Sequence, residues 1–292
     1  MDIARTIADL RWHTALWRKS EEPIGLVPTM GALHEGHMAL VRAARNECRR
    51  VVVSIFVNPK QFAPIEDFGS YPRREATDLD MLRSAGVDLA FIPAATEIYP
   101  PDFATTVQVT GLTEGLCGAH RSGHFDGVAT VVTKLLIQSL PEAAYFGEKD
   151  YQQLIMVRRL VRDLDIPVRI AGVSTVREPD GLALSSRNVY LSPEERRIAP
   201  ALSSVLQDVA ATLERDPAAV ASEIRRGIAQ LEKAGFAVEY LEIRDAETLE
   251  PVTTAVTAPS RVLAAARLGR TRLIDNTPVA VGPVHSRVPP TK

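Results

Sequence analysis

The chain has 292 residues, 46% hydrophobic and 24% charged, with a formal net charge of −2 at pH 7. That length suggests about two domains, and the near-neutral balance argues against nucleic acid or a membrane surface as the main partner. Only two cysteines, Cys48 and Cys117, occur far apart, which gives no disulfide framework and fits a reducing cytoplasm; no apolar run is long enough to cross a bilayer.

Residues 1–19 carry an amphipathic, mixed-charge helical pattern, unlike a secretory leader. The apolar run 24–27 reads as a buried parallel strand, and 36–50 follows with Met38, Leu40, Val41, Ala44 and Cys48 at helical spacing. Residues 50–57 form a second buried strand, 73–85 a helix closed by Gly86, and 88–92 a third strand. A β-rich run at 105–110 precedes a helix over 125–139, a short strand over 143–146, a helix over 151–164 and a last strand over 168–176. This alternation predicts an α/β fold, with a doubly wound, Rossmann-like parallel sheet as the N-terminal domain, 1–176.

The character changes near Arg177. Ser192-Pro193-Glu194-Glu195 is a helix start, with Ser at the cap, Pro at the first turn and Glu three residues on. One helix is expected from there to about Arg215, and a second from Pro217 to Gly235. Strand-like runs at 238–244, 261–267 and 271–274 then complete a smaller α+β C-terminal domain over 177–283, with 178–188 as hinge and 284–292 as a loose tail.

In doubly wound sheets ligands bind beyond the carboxyl ends of the strands, at the switch point. That rule collects His34 and His37 after the first strand, Asn58 and Gln61 after the second, and Gly147, Lys149 and Asp150 after the strand at 143. No GxGxxG or P-loop word is present. The helix start near His37 offers open N–H groups and a positive dipole end to phosphate, and Gly31 and Gly36 let a ligand come close. His34 and His37, three apart, share one helix face, although such a pair is equally a metal pair or two solvated rings. Asn58-Pro59 is an ordinary strand exit, whereas the Gln61 amide can both donate to and accept from a hydroxy acid without adding charge. Lys149 can neutralise phosphate, Gly147 can admit a nucleotide to the backbone, and Asp150 can accept from ribose or bind through a metal; the alternative is a plain charged loop. Ser185, Ser186 and Arg187 supply the donors and fixed charge a triphosphate needs, or form a linker. The polar loop from Arg121 to Gly127 reads as a cover over the cleft, with Arg121 meeting a substrate carboxylate.

The words PTMGALHEGH, VNPKQF, FGEKDYQQ and LSSRN, in that order and at these distances, resemble the pantothenate synthetase family, the pantoate–β-alanine ligases of the HIGH-motif nucleotidyl-transferase superfamily. The resemblance runs from the N-terminus to about residue 281. It implies an ATP-dependent ligase that joins (R)-pantoate to β-alanine through a pantoyl adenylate, releasing AMP and pyrophosphate, with Mg²⁺ as cofactor and a homodimer formed through the first domain. It places Met30, Gly31, Ala32, Leu33, His34, Glu35, Gly36 and His37 at ATP, with Gly147, Glu148, Lys149, Asp150 and a backbone contact from Val176. It makes Leu184, Ser185, Ser186 and Arg187 the counterpart of the KMSKS loop of related synthetases. Pantoate falls to Gln61 and Gln153, with Asn58 and Arg121 beside them. Catalysis falls to His34, His37, Lys149 and Arg187, with His37 as proton donor toward the leaving phosphate. The chain departs from the family at Leu184 and Lys60, where methionine is usual or common. The Mg²⁺ ligands stay open between Asp78 and Asp150.

Such chemistry has a simple requirement. A carboxylate must be activated by attack on the α-phosphorus, and what opposes the attack is charge repulsion, so the task is positioning plus cationic stabilisation. Closure of the second domain over the cleft is expected, to keep water from the adenylate. Two rival readings are a nucleotidyltransferase acting on a phosphorylated acceptor and a non-catalytic nucleotide binder.

Overall fold

The computed structural model describes residues 1–62 and 68–280; the tail expected at 284–292 lies outside them. The chain divides into two compact units, Met1–Pro179 with Ala183–Val189, and Asp180–Leu182 with Tyr190–Lys292.

The first unit runs β1 (Asp2–Ala4), α1 (Ile7–Lys19), β2 (Ile24–Thr29), α2 (Glu35–Glu47), β3 (Arg50–Ile55), α3 (Glu75–Ser84) and β4 (Leu89–Phe91). Two single-turn helices, α4 (Ala95–Ile98) and α5 (Cys117–His120), lead to α6 (His124–Ser139), β5 (Ala143–Gly147), α7 (Tyr151–Asp163) and β6 (Arg169–Val173). Among the described residues its six strands form one parallel sheet in the order β1-β4-β3-β2-β5-β6. Strands β2, β3 and β4 are buried almost throughout, which is why they read as unbroken apolar runs rather than alternating ones. From β2 the chain builds outward to β3 and β4 on one side, then returns to place β5 and β6 on the other. The carboxyl ends of β2 and β5 therefore meet at the switch point, where α/β sheets bind ligands.

Three expectations in this unit need correction. The pattern over 1–19 hides the three-residue β1, which pairs with β4 before Thr6 caps α1 by accepting from the Asp9 N–H at 3.1 Å. The run 105–110 joins no ladder; instead the Val107 N–H donates to Thr130 Oγ1 on α6 at 3.0 Å. Residues 183–189, expected with the second domain, fold with the first. There the Leu184 N–H donates to the Val176 carbonyl at 3.0 Å, and the Ser186 hydroxyl donates to the Ala32 carbonyl at 3.1 Å.

The second unit contains α8 (Pro193–Ile198), α9 (Ala201–Arg215), α10 (Val220–Lys233) and an antiparallel sheet β7-β8-β9 (Ala237–Asp245, Ser260–Leu268, Thr271–Val279). The cap at Ser192 forms as expected: its hydroxyl accepts from the Glu195 N–H at 3.2 Å, and Glu195 Oε2 accepts from the Ser192 N–H at 2.8 Å. The single helix expected from there to 215 is broken between Ile198 and Ala201, because Pro200 brings no N–H for the ladder. Gly235, at φ +101, stops α10 as predicted. Leu206, Val209, Leu213, Val220, Leu231 and Val262 supply a core of their own.

Candidate active site

The loop from β2 to α2 is braced from several directions. Thr29 Oγ1 donates to the Ser54 carbonyl at 2.7 Å and accepts from the Gly31 N–H at 3.2 Å. Gly31 and Ala32 follow at φ +78 and +49, a conformation that glycine adopts freely and alanine only when held. The holder is Asp78 of α3, 2% exposed, which accepts from the Ala32 N–H at 2.9 Å and the Leu33 N–H at 2.8 Å. Burial pushes its carboxyl upward, and those two N–H groups oppose the shift. With one oxygen on each N–H, Asp78 is a clamp for the loop and not an open Mg²⁺ ligand.

At the mouth of α2, His34 caps the helix: its Nδ1 accepts from the Gly36 N–H at 3.1 Å, and His37 Nδ1 accepts from the His34 N–H at 3.3 Å. The ring centroids are 4.1 Å apart. A neutral imidazole that accepts at Nδ1 carries its proton on Nε2, so both rings are set as Nε2–H donors. Burial, then the Lys149 charge, lowers His34 to about 4. Burial, His34 and Lys149 together lower His37 to about 3, against the pull of Asp150. Both rings are therefore neutral near pH 7.

A cleft at the switch point brings together residues from four stretches: Met30, His34, Gly36 and His37; Asn58 and Gln61; Gly147, Lys149, Asp150 and Gln153; and Val176, Leu184, Ser185, Ser186 and Arg187. Arg121 lines it as well. Gly31, Ala32, Leu33, Glu35 and Glu148 do not. The first three shape the β2–α2 turn, and Glu35 pairs with Arg42 instead. The Asn58 amide is fully used within the protein: it donates to Gln61 Oε1 and the Gly127 carbonyl, both at 3.0 Å, and accepts from the Lys60 N–H and the Tyr99 hydroxyl at 3.3 and 2.8 Å. Asn58 thus braces Gln61, whose Nε2 donates to Met30 Sδ at 3.0 Å. Lys60 turns outward, its ammonium 5.3 Å from the ring centres of Tyr99 and Phe103.

Beyond β5, the turn Glu148–Asp150 has no side-chain cap, and Lys149 Nζ lies 3.9 Å from Asp150 Oδ2. Gln153 lines the cleft while its neighbour Gln152 is buried, holding the 112–117 loop through Leu112, Gly115 and Cys117. In the 184–187 stretch, Ser185 Oγ accepts from the Arg187 N–H at 3.2 Å, and the Arg187 guanidinium stands 5.9 Å from the Tyr71 ring centre.

Sequence reading missed several lining residues. Ser174 and Thr175 precede Val176, and Tyr71 comes from a stretch with no motif. Val128, Val131, Val132 and Leu135 of α6 form an apolar wall. Their i, i+3, i+4, i+7 spacing was visible, but it reads as core.

A profile of the Pantoate-beta-alanine ligase family matches residues 2–278. The chain is 56% identical to the pantothenate synthetase of Paramagnetospirillum magneticum over 275 residues, covering 94% of this chain and 96% of that protein. It is 54% identical to the Rhizorhabdus wittichii pantothenate synthetase, over 97% of this chain and all of that one. The crystal structure of pantothenate synthetase from Thermus thermophilus superposes with a TM-score of 0.89 at 50% identity, covering 95% of this chain and 99% of that one. The Francisella tularensis pantoate-beta-alanine ligase, complexed with beta-gamma ATP and beta-alanine, gives 0.80 at 34% identity over 95% and 97% of the two chains. With a match of this extent, and with the imidazole pair and the cationic groups facing one cleft, the chain belongs to the pantoate-beta-alanine ligase family, the enzymes that form pantothenate.

Proposed function

We propose that this one cleft carries both half-reactions: adenylation of the (R)-pantoate carboxylate by ATP, then attack of the β-alanine amine on the pantoyl adenylate with release of AMP. The observation that carries the assignment is that two neutral Nε2–H donors, Lys149, Arg187 and the amides of Gln61 and Gln153 all line the same switch-point cleft. The Francisella ligase, complexed with an ATP species and β-alanine, supports those two substrates.

The roles follow from charge. The pantoate carboxylate is already an anion and needs no base; it must be brought past a triphosphate, and pyrophosphate must leave. Lys149 and Arg187 offset the repulsion, and the start of α2 adds its N–H dipole. His34 and His37 hydrogen-bond to phosphate oxygens as neutral donors, fixed before substrate arrives, which is what transition-state stabilisation needs. Where the family resemblance makes His37 a proton donor toward the leaving phosphate, His37 here is a neutral ring that donates an Nε2–H hydrogen bond to it. The Ser185 hydroxyl can still donate to phosphate, whereas that of Ser186 ties its loop to Ala32. Gly147 admits the nucleotide, Val176 meets adenosine through its backbone, Gln61 and Gln153 orient the pantoate hydroxyls, and Arg121 faces a substrate carboxylate.

Among the described residues no group of three or more His, Cys, Asp or Glu is arranged to hold a metal ion, and Asp150 is the one carboxylate lining the cleft. Mg²⁺ fits there as an ion carried mainly by the phosphates, with Asp150 nearby, where it would add charge neutralisation. A homodimer in the cytoplasm belongs to the same reading, and sedimentation of the purified protein tests the dimer.

The deciding experiment is exchange of labelled pyrophosphate into ATP. Exchange that requires pantoate and proceeds without β-alanine is expected; no exchange with pantoate present would overturn the assignment. Product analysis adds that AMP accumulates only when the amine is supplied, unlike the product of a nucleotidyltransferase, which retains the nucleotide.

A further inference from the structure

His124 has no part in the chemistry above, yet it is 8% exposed and stands at the cleft wall. Its Nδ1 lies 2.8 Å from the main-chain oxygen of Gln61, and its Nε2 lies 2.9 Å from Arg121 Nη1. A carbonyl can only accept and a guanidinium can only donate, so the ring is held as the Nδ1–H tautomer with its lone pair on Nε2. This is the opposite tautomer to that of His34 and His37. The start of α6 is also pressed onto the turn at Pro59–Gln61: Asn58 Nδ2 donates to the Gly127 carbonyl at 3.0 Å, and a Cβ on Gly127 would stand 2.3 Å from the Lys60 oxygen. No side chain fits at that contact, so the helix start is held against the turn.

We propose that His124 is a positioning residue that joins Arg121 to Gln61. One nitrogen pins the main chain that carries the Gln61 amide; the other selects, from the many rotamers of Arg121, the one that keeps its guanidinium at the cleft. The separation between the hydroxy-acid amide and the cation is then set before substrate binds, which removes an ordering loss from binding. The inference rests on the reading above that Gln61 and Arg121 face substrate.

Four variants test it, each assayed for kcat, for KM of pantoate and of β-alanine, and for thermal melting. His124→Ala should raise roughly tenfold the KM of whichever carboxylate substrate Arg121→Ala also weakens, the size of one lost hydrogen bond to a charged group, with a smaller change in kcat. The double variant should be no worse than Arg121→Ala alone. His124→Gln, which returns an acceptor near the Nε2 position, should recover that KM, whereas His124→Asn, which returns only a donor near Nδ1, should not. Additive losses in the double variant, equal behaviour of Gln and Asn, or unchanged KM values would overturn the proposal. If His124→Ala fails to fold, the Gln and Asn pair decides alone. Pyrophosphate exchange by the unaltered enzyme separates the two failures: its loss removes the ligase assignment, while its presence with additive variants removes only the role of His124.

Discussion

The two strands that meet at the switch point end in opposite ways. After β2, the chain is held at every step: Thr29 on Gly31, Asp78 on Ala32 and Leu33, and two imidazoles on the first N–H groups of α2. After β5, the turn at Glu148–Asp150 has no side-chain cap, and a Cβ on Gly147 would meet nothing within 4 Å. The difference tracks what each side supplies. Hydrogen-bond donors act on a transition state only when their direction is set beforehand. A lysine ammonium is a point charge on a flexible stem and needs space more than aim. On the proposed reading, one side of the cleft serves geometry and the other charge and access.

The sharpest way to break this contrast is at the aimed side. His37→Ala should lower kcat by roughly 10²–10³, the scale of losing one transition-state donor, with only a small fall in melting temperature from the lost cap on the His34 N–H; near-normal turnover would remove His37 from the mechanism. Asp78→Ala should lower both stability and kcat. It leaves two inward N–H groups without an acceptor, at about 1–3 kcal/mol each, and lets Ala32 leave its left-handed conformation. Denaturant unfolding beside steady-state rates reads both, and a variant with normal stability would show that the clamp is not needed. On the open side, Gly147→Ala should leave unfolding unchanged, because the free protein has room for the methyl group, while KM for ATP rises by up to roughly tenfold. A drop in stability there would erase the distinction between the two strand exits.

A further effect falls on the pH dependence of stability in the free protein. Both histidines are lowered from 6.5, to about 4 for His34 and about 3 for His37. Below pH 6.5 the unfolded chain takes up protons that the folded rings refuse, so their contribution is fully present above that pH and declines as pH falls toward 3. Replacing both by Gln should flatten the slope of unfolding free energy between pH 7 and 4. An unchanged slope would mean that the rings are already charged in the fold.

Much of the first unit was legible because burial on both faces of a parallel sheet leaves long apolar runs, and because the helices between them repeat on one face. The cap at Ser192 was legible for a different reason: its partner, Glu195, is three residues away. Legibility failed where the signal was short or distant. The three residues of β1 carry no period, and Pro200 broke a helix whose apolar spacing ran on past it. The run 105–110 has strand composition, but it pairs with no described strand, and its Val107 N–H goes to Thr130 on α6. Asp78 was legible as a candidate Mg²⁺ ligand but not as the clamp of the β2–α2 loop, since its partners Ala32 and Leu33 lie more than forty residues earlier. The apolar stripe of α6 had the right period and is buried as that period implies, but periodicity reports only that a face is covered, not that the same side chains also line a cleft.

By itself the sequence determined most of the alternation of strands and helices, the cap at Ser192, the stop at Gly235, and the four polar words from which the cleft draws its side chains, because these depend on residue type and near neighbours. Tertiary structure alone decided which nitrogen of each histidine bears the proton, that Asn58 and Asp78 brace while Gln61 and Lys149 face the cleft, and that β2 and β5 lie side by side. Those outcomes depend on groups far apart in the chain meeting at hydrogen-bond distance, and no local pattern encodes such a meeting.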